Sequence, residues 1–253
     1  MRRNIVFLIG LVLLWQGSVQ AVEYTGYTRL TPVIDLTTPV SGVIQQVNVR
    51  KGQLVKQGQA LLTLDLATFN ARVVACEAGI VAQTELRKEV QREYVRAQEM
   101  YEQTLLSERK LQLALIDKLA AEARYQRVNS DCVQARQTLK YAVIRAPMKG
   151  LITEVQARAG EVVSHLEQPR TLIQLVNAER MWIEIPVRGD VLDGLRLDQT
   201  LDVMLKKQSL KARVIQFEVV PDVLKDPYYR VTMEIKAGDV PVRAGYKVSV
   251  SIP

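Results

Sequence analysis

The sequence predicts an elongated α+β chain: a small β-sandwich split by an inserted antiparallel α-helical hairpin, followed by a small β-barrel. Three observations predict it. Residues 39–55 and 147–163 repeat one pattern of proline, glycine and apolar positions. Between them, residues 66–139 contain no proline and, after Gly79, no glycine. Beyond Val176, short runs of alternating apolar and polar residues are punctuated by turn signals. The boundaries that follow are 1–21 for a leader, 22–38 for a strand joining the barrel, 39–65 and 141–176 for the two sandwich halves, 66–140 for the hairpin and 177–253 for the barrel.

The leader comes first. Arg2 and Arg3 precede an apolar stretch from Ile5 to Trp15, and Val19-Gln20-Ala21 places small residues where a signal peptidase cuts. That is the pattern of a cleaved secretory signal, and the stretch is short for a spanning helix, which needs about 20 apolar residues. The alternative is an uncleaved inner-membrane anchor. No cysteine follows the stretch, which argues against a lipid-modified N-terminus. The net charge is +7, but two of those cations lie in the leader and the rest form no dense block. With aromatic residues at 6%, neither a phosphate-tracking surface nor base stacking is favoured, and no nucleic-acid partner is expected.

The repeat begins at Pro39 and at Pro147. Counting from each proline, glycine falls at the third and thirteenth positions after it (Gly42 and Gly52, Gly150 and Gly160). Apolar residues fall at Val43, Ile44, Val47, Val49 and Val55 in one copy, and at Leu151, Ile152, Val155, Ala157 and Val163 in the other. Alternating apolar positions describe short strands with one buried face, and glycines between them suit turns that need positive φ. Gly58 closes the first copy in the same manner. The pattern resembles the half-motif of biotinyl/lipoyl domains, flattened sandwiches built from two such halves. Carrier members join the halves by a tight turn bearing a modified lysine in a Met-Lys dipeptide. Here the first half runs out at Leu61-Leu62-Thr63-Leu64-Asp65 without one. A lipoyl-like sandwich split by a helical insert resembles the HlyD-type membrane fusion proteins, periplasmic adaptors of tripartite efflux and secretion systems.

The insert is rich in helix formers. Phe69, Val73, Cys76 and Ile80 step by four and three residues, as do Val90, Tyr94, Ala97 and Tyr101 and, further on, Tyr125, Val128, Cys132, Ala135 and Leu139. That spacing keeps one narrow apolar seam. Gln83 and Arg87 interrupt it, which predicts a local stutter. One helix of this length would stretch about 110 Å, yet its ends must rejoin one small domain, so the chain is expected to fold back near Thr104 to Ser107, with Ser107 capping the returning helix through its hydroxyl. Cys76 and Cys132 then face one another near the base. In an exported protein they form a disulfide candidate, and two buried thiols are the alternative. The resemblance also supplies a tip motif for contact with an outer-membrane duct, carried here by Arg96, Met100 and Ser107, with methionine where the family has leucine.

In the last third, residues 181–187, 201–205, 230–236 and 247–252 alternate. Ala244-Gly245-Tyr246-Lys247-Val248 matches a family strand start, whereas Asp198-Gln199 replaces the family's Gly-Gln. The chain ends at Pro253, directly after a strand, so a fourth, membrane-proximal domain is expected to be absent or vestigial. Met148, Met181, Met204 and Met233 read as core.

No catalytic, cofactor or metal site is expected. The single histidine, His165, falls in an insertion of the second half, and one histidine with two distant cysteines makes no zinc set. Asp222 and Asp226 flank a loop without a partner geometry. The resemblance implies an adaptor that is not an enzyme, located in the periplasm, with an inner-membrane transporter and an outer-membrane channel as partners and a hexameric ring as its assembly. The competing readings are a biotinyl/lipoyl carrier subunit, opposed by the leader and the missing Met-Lys turn, and an adaptor of an ABC-type exporter rather than a resistance–nodulation–division pump.

Overall fold

The computed structural model describes residues 22–164, 170–220, 228–238 and 243–252. The leader, His165, Asp222 and Asp226 lie outside them. In chain order the strands are β1 (Val22–Leu30), β2 (Ile34–Leu36), β3 (Gly42–Val47), β4 (Leu54–Val55) and β5 (Ala60–Leu64). Two helices follow, α1 (Ala67–Glu102) and α2 (Glu108–Tyr141). Then come β6 (Val143–Arg145), β7 (Gly150–Val155), β8 (Val162–Val163), β9 (Ile173–Asn177), β10 (Arg180–Arg188), β11 (Thr200–Leu205), β12 (Gln208–Val220), β13 (Tyr228–Lys236) and β14 (Lys247–Ile252). The described residues divide into two compact units, one within 31–179 and one made of 22–30 with those of 180–252.

The sequence repeat explains how the first unit closes. Its two sheets run β2-β9-β7-β4 and β6-β5-β3-β8, so each sheet takes strands from both halves. The exchange obeys one rule twice. Gly42 pairs with Val163, and Gly150 pairs with Val55, the matching positions of the opposite copies. The Gly52 N–H donates to the Ile152 carbonyl and the Gly160 N–H to the Ile44 carbonyl, both at 2.8 Å. In return the Ile44 N–H donates to Glu161 at 2.8 Å and the Ile152 N–H to Gln53 at 2.9 Å. Ile44, Leu62, Leu64, Ile152, Ile173 and Leu175 fill the space between the sheets, each at 1% exposure or less. A fully buried aliphatic side chain of this kind contributes about 1.5–3 kcal/mol.

The glycines divide by role, which corrects the expectation that all five serve turns. Gly52, Gly58 and Gly160 take φ of 81°, 78° and 84° and make turns. Gly42 and Gly150 instead begin strands, where they permit close packing. A Cβ at Gly150 would stand 2.4 Å from Leu175 Cδ1 and 2.7 Å from the Val176 carbonyl, and one at Gly42 would stand 3.2 Å from Leu64 Cδ1.

The hairpin is rooted in this sandwich. The Ala67 N–H donates to the Asp65 carboxylate at 3.0 Å at the start of α1, and the Leu64 N–H donates to the Ala142 carbonyl just past the end of α2. Phe69 and Ala142 belong to the sandwich core, with Leu66 and Leu139 packed against it.

The second unit is a closed barrel in the order β1-β10-β13-β12-β11-β14. Alternate residues of β10 (Met181, Ile183, Ile185, Val187) and of β11 (Leu201, Val203, Leu205) point inward. Two expectations are corrected here. The segment 22–38 does not go to the barrel as a whole: Val22–Leu30 joins it, but Ile34–Leu36 pairs with β9 in the sandwich, because Ile34 and Leu36 face Leu175 and Ile173 across that ladder. Met204 is not core either. It is 49% exposed, since the alternation of β11 turns it outward, while Met181 and Met233 are buried. Asp198, in place of the family glycine, holds φ of 63°, the left-handed conformation glycine adopts freely.

Candidate functional site

The hairpin presents its turn far from the sandwich in which it is rooted. With 36 residues in α1 and 34 in α2, each arm is about 50 Å long. Along α1 the half-buried or buried seam positions are Phe69, Val73, Cys76, Ile80, Gln83, Arg87, Val90, Tyr94 and Ala97, with Gly79, Thr84 and Gln91 half-buried beside them. Along α2 they include Leu111, Ala114, Lys118, Ala121, Tyr125, Val128, Cys132, Ala135 and Leu139. Both series step by threes and fours without a break. The expected stutter is therefore absent: Gln83 and Arg87 hold their places in the seam, and Leu86, 40% exposed, stays outside it. Arg87 fits because its guanidinium lies 4.1 Å from the centroid of the Tyr125 ring and reaches Glu122 at 3.4 Å. Lys118 sits over Tyr94 in the same way, at 4.6 Å. Glu122 is held below its ordinary carboxylate range by hydrogen bonding to Gln126 and by the charge of Arg87.

Near the base the arms approach closely. Cys76 and Cys132 are joined by a disulfide with their Cα atoms 5.1 Å apart. One turn along α1, Gly79 lies under Val128, so that a Cβ there would stand 3.1 Å from Val128 Cγ1. Arg136 donates to Glu77 through Nε at 3.3 Å and Nη2 at 2.9 Å, tying the outer edges together.

The tip is a two-bond closure. The Leu105 N–H donates to the Met100 carbonyl and the Thr104 N–H to the Tyr101 carbonyl, both at 2.9 Å, which is the Schellman pattern that ends a helix. Glycine is the usual occupant of its left-handed position, but here Thr104 takes it, at φ of 58°. The next residue, Leu105, is left 68% exposed. Ser107 then adopts the extended backbone of a helix cap, and its carbonyl accepts the Lys110 N–H at 3.0 Å. Its hydroxyl makes no capping hydrogen bond, contrary to expectation. Glu108 in the first turn supplies the negative charge that a helix N-terminus favours.

The three motif residues do not converge on one point. Arg96 and Met100 share a face of α1, four residues apart, and Ser107 stands across the turn at the start of α2. Arg96 is paired with Glu93 at 2.9 Å, more than two turns below the tip, and Met100 is 38% exposed. Leu105, the most exposed large apolar side chain of the hairpin, was missed in the sequence. Its signal was present, as a Leu-Leu pair inside a polar break between two helices.

The carrier alternative has its own position to examine. Met148-Lys149 is the one Met-Lys dipeptide of the sequence, and it leads into β7. Lys149 pairs with Glu179 at 3.4 Å, and the Met148 sulfur accepts the Asn177 amide at 3.5 Å. Where a carrier places its lysine turn, after the first half, this chain has the hairpin. Among the described residues no group of three histidine, cysteine or carboxylate side chains is placed to hold a metal ion.

Several solved structures share this architecture. The membrane fusion protein Spr0693 from Streptococcus pneumoniae R6 is 14% identical, with a TM-score of 0.66 over 92% of this chain and 98% of that one. A MacA-MexA chimeric protein containing the Pseudomonas aeruginosa MexA α-hairpin domain is 21% identical, with a TM-score of 0.61 over 92% and 80%. MacA from Actinobacillus actinomycetemcomitans is 20% identical, with a TM-score of 0.52 over 92% and 78%. At these identities the likeness is one of fold. The sequence itself matches the model of the CzcB-like barrel-sandwich hybrid domain over residues 33–172, more than half of its length. With the split sandwich, the inserted hairpin and the barrel of membrane fusion proteins, the chain belongs to the CzcB-like barrel-sandwich hybrid domain family.

Proposed function

We propose that this chain is a periplasmic adaptor linking an inner-membrane transporter to an outer-membrane duct, with the hairpin tip as the duct contact. The observation that carries the reading is the hairpin itself. Two long arms are anchored in a sandwich core, and they end in a turn that exposes Leu105 between Met100 and Ser107. A long rod whose turn leaves an apolar side chain exposed at its end can meet another protein there. Arg96 offers a planar set of donors to backbone carbonyls on the duct's own tips, once its exposed pair with Glu93 gives way; such a pair is worth about 0–1 kcal/mol. Met100 supplies a flexible apolar contact beside Leu105. The role is structural, joining and sealing rather than chemistry, and copies of the chain assemble side by side, six to a ring by the family resemblance.

The test keeps the native disulfide. A photo-crosslinking residue placed at 105 in living cells is expected to trap an outer-membrane protein, while the same probe at the exposed mid-arm position Ala82 does not. Adducts confined to inner-membrane proteins, or equal from both positions, would overturn the duct contact.

A further inference from the structure

One corner of the barrel gathers cations that have no carboxylate partner among the described residues. The turn between β11 and β12 has two residues, Lys206 and Lys207, at φ of 48° and 68°. A two-residue hairpin turn with both φ values positive is the type that favours Asn-Gly, because L side chains are strained there. Two lysines in that place run against the local preference, and such a departure marks a position kept for its side chains.

The surroundings point the same way. Leu205 pairs with Val248, which sets the turn beside the start of β14. The Lys206 ammonium lies 3.6 Å from the centroid of the Tyr246 ring. Arg243 and Tyr246 are fixed to β1 by the buried Thr28, whose hydroxyl donates to the Arg243 carbonyl at 2.9 Å and accepts the Tyr246 N–H at 3.0 Å. Lys247 stands opposite Tyr27, which is 57% exposed, and Met204, 49% exposed, lies on the adjoining outer face. The barrel's ion pairs use other cations, among them Arg29, Arg180, Lys211, Arg213 and Arg230. Among the described residues, Lys206, Lys207, Arg243 and Lys247 have no acidic partner. Lys206, with Arg243 near it, holds the Tyr246 phenol below its ordinary range.

We propose that this corner binds the phosphate headgroups of an anionic lipid surface. Two lysines on a projecting turn, backed by a third and fourth cation, reach a layer of phosphates together. The exposed Tyr27 and Met204 beside them suit the partly apolar headgroup zone, where aromatic side chains concentrate. Each cation near such a surface strengthens binding by roughly fivefold, and the effect weakens as salt rises. The assignment stands apart from the hairpin tip and does not depend on the duct contact.

Co-sedimentation of the full-length, exported protein with vesicles tests it. Vesicles of equal phosphatidylcholine and phosphatidylglycerol are expected to bind it more tightly than phosphatidylcholine alone, with the preference shrinking as salt is added. Lys206→Asn combined with Lys207→Gly installs the favoured turn pair. This variant should melt no lower than the parent and yet bind the anionic vesicles roughly 25-fold less, from two cations at about fivefold each. Lys51→Gln combined with Lys56→Gln, which removes the same charge from exposed turns of the sandwich, should bind as the parent does. Equal binding to both vesicle types would overturn the proposal, as would an unchanged Lys206/Lys207 variant or an equal loss in the sandwich variant. Release of the protein by millimolar soluble glycerol phosphate would show a discrete anion site in place of a surface, and would overturn it too.

Discussion

The two ends of the hairpin are held together by different means. At the base the arms are bonded through Cys76 and Cys132, pressed close at Gly79 and Val128, and clamped by Glu77 and Arg136. Towards the tip the seam contains charged residues lying on aromatic rings, and Ala121 is its one fully buried residue. There α2 also carries Leu113, Ile116 and Leu119 facing outward at 50%, 58% and 58% exposure. A groove of about 260 Å³ lies between the arms, lined by Leu86, Val90, Ala114 and Ala121 among others. The base is held by a covalent bond and a close approach of the two arms, and the outer half by rings, charges and small residues. A rod built this way keeps its register at the root and has looser contacts towards its tip.

Removing the lock at the root should have the largest effect. Cys76→Ala with Cys132→Ala opens a loop closed across 56 residues, and chain entropy puts the loss at about 4 kcal/mol. Urea unfolding followed by helical circular dichroism measures it. A loss below about 1 kcal/mol would mean the outer seam holds the register unaided, and the contrast between the two ends would fail. Next comes Gly79→Leu, which puts a bulky side chain where Val128 already packs. Despite better helix propensity it should cost about 1–3 kcal/mol, whereas Ala82→Leu on the open side should stay within about 0.5 kcal/mol. Equal effects at the two sites would show that the base is no tighter than its surface. The smallest effect belongs to the tip and has the opposite sign. Thr104→Gly relieves a β-branched residue in the left-handed region and should raise stability by up to about 1 kcal/mol. Slower amide exchange limited to residues near 100–108 would place the gain at the turn, and a destabilised protein would show that Thr104 makes contacts worth more than its strain.

Much of this architecture was legible in the sequence, for identifiable reasons. The sandwich was readable because its halves repeat at matched spacing, and the same spacing fixed which residues meet across the insert. The hairpin was readable from its composition and from the need to return to one domain. What escaped detection depended on neighbours distant in sequence. Gly42 and Gly150 look like turn glycines until Leu64 and Leu175 are seen against them. Gln83 and Arg87 look like a break in the seam until Tyr125 is found beneath the guanidinium. The division of 22–38 between two units follows from strand partners near residues 173–184 and 247–252, which no local pattern reveals. Lys206 and Lys207 carry no motif at all, and their significance rests on a backbone conformation that propensity would have assigned to other residues.

The pairing of first strand with last has a bearing on how the chain matures. β1, at the beginning, lies between β10 and β14, and β14 ends at Ile252. β3 and β4 likewise wait for β8 and β7, which follow more than ninety residues later. A chain synthesised N-terminus first therefore exposes unpaired strand edges until almost all of it has emerged, while α1 and α2, whose contacts are local, can form at once and draw the halves together. Termination before β7 would leave both β units open, whereas termination between β9 and β14 would leave the barrel alone unable to close.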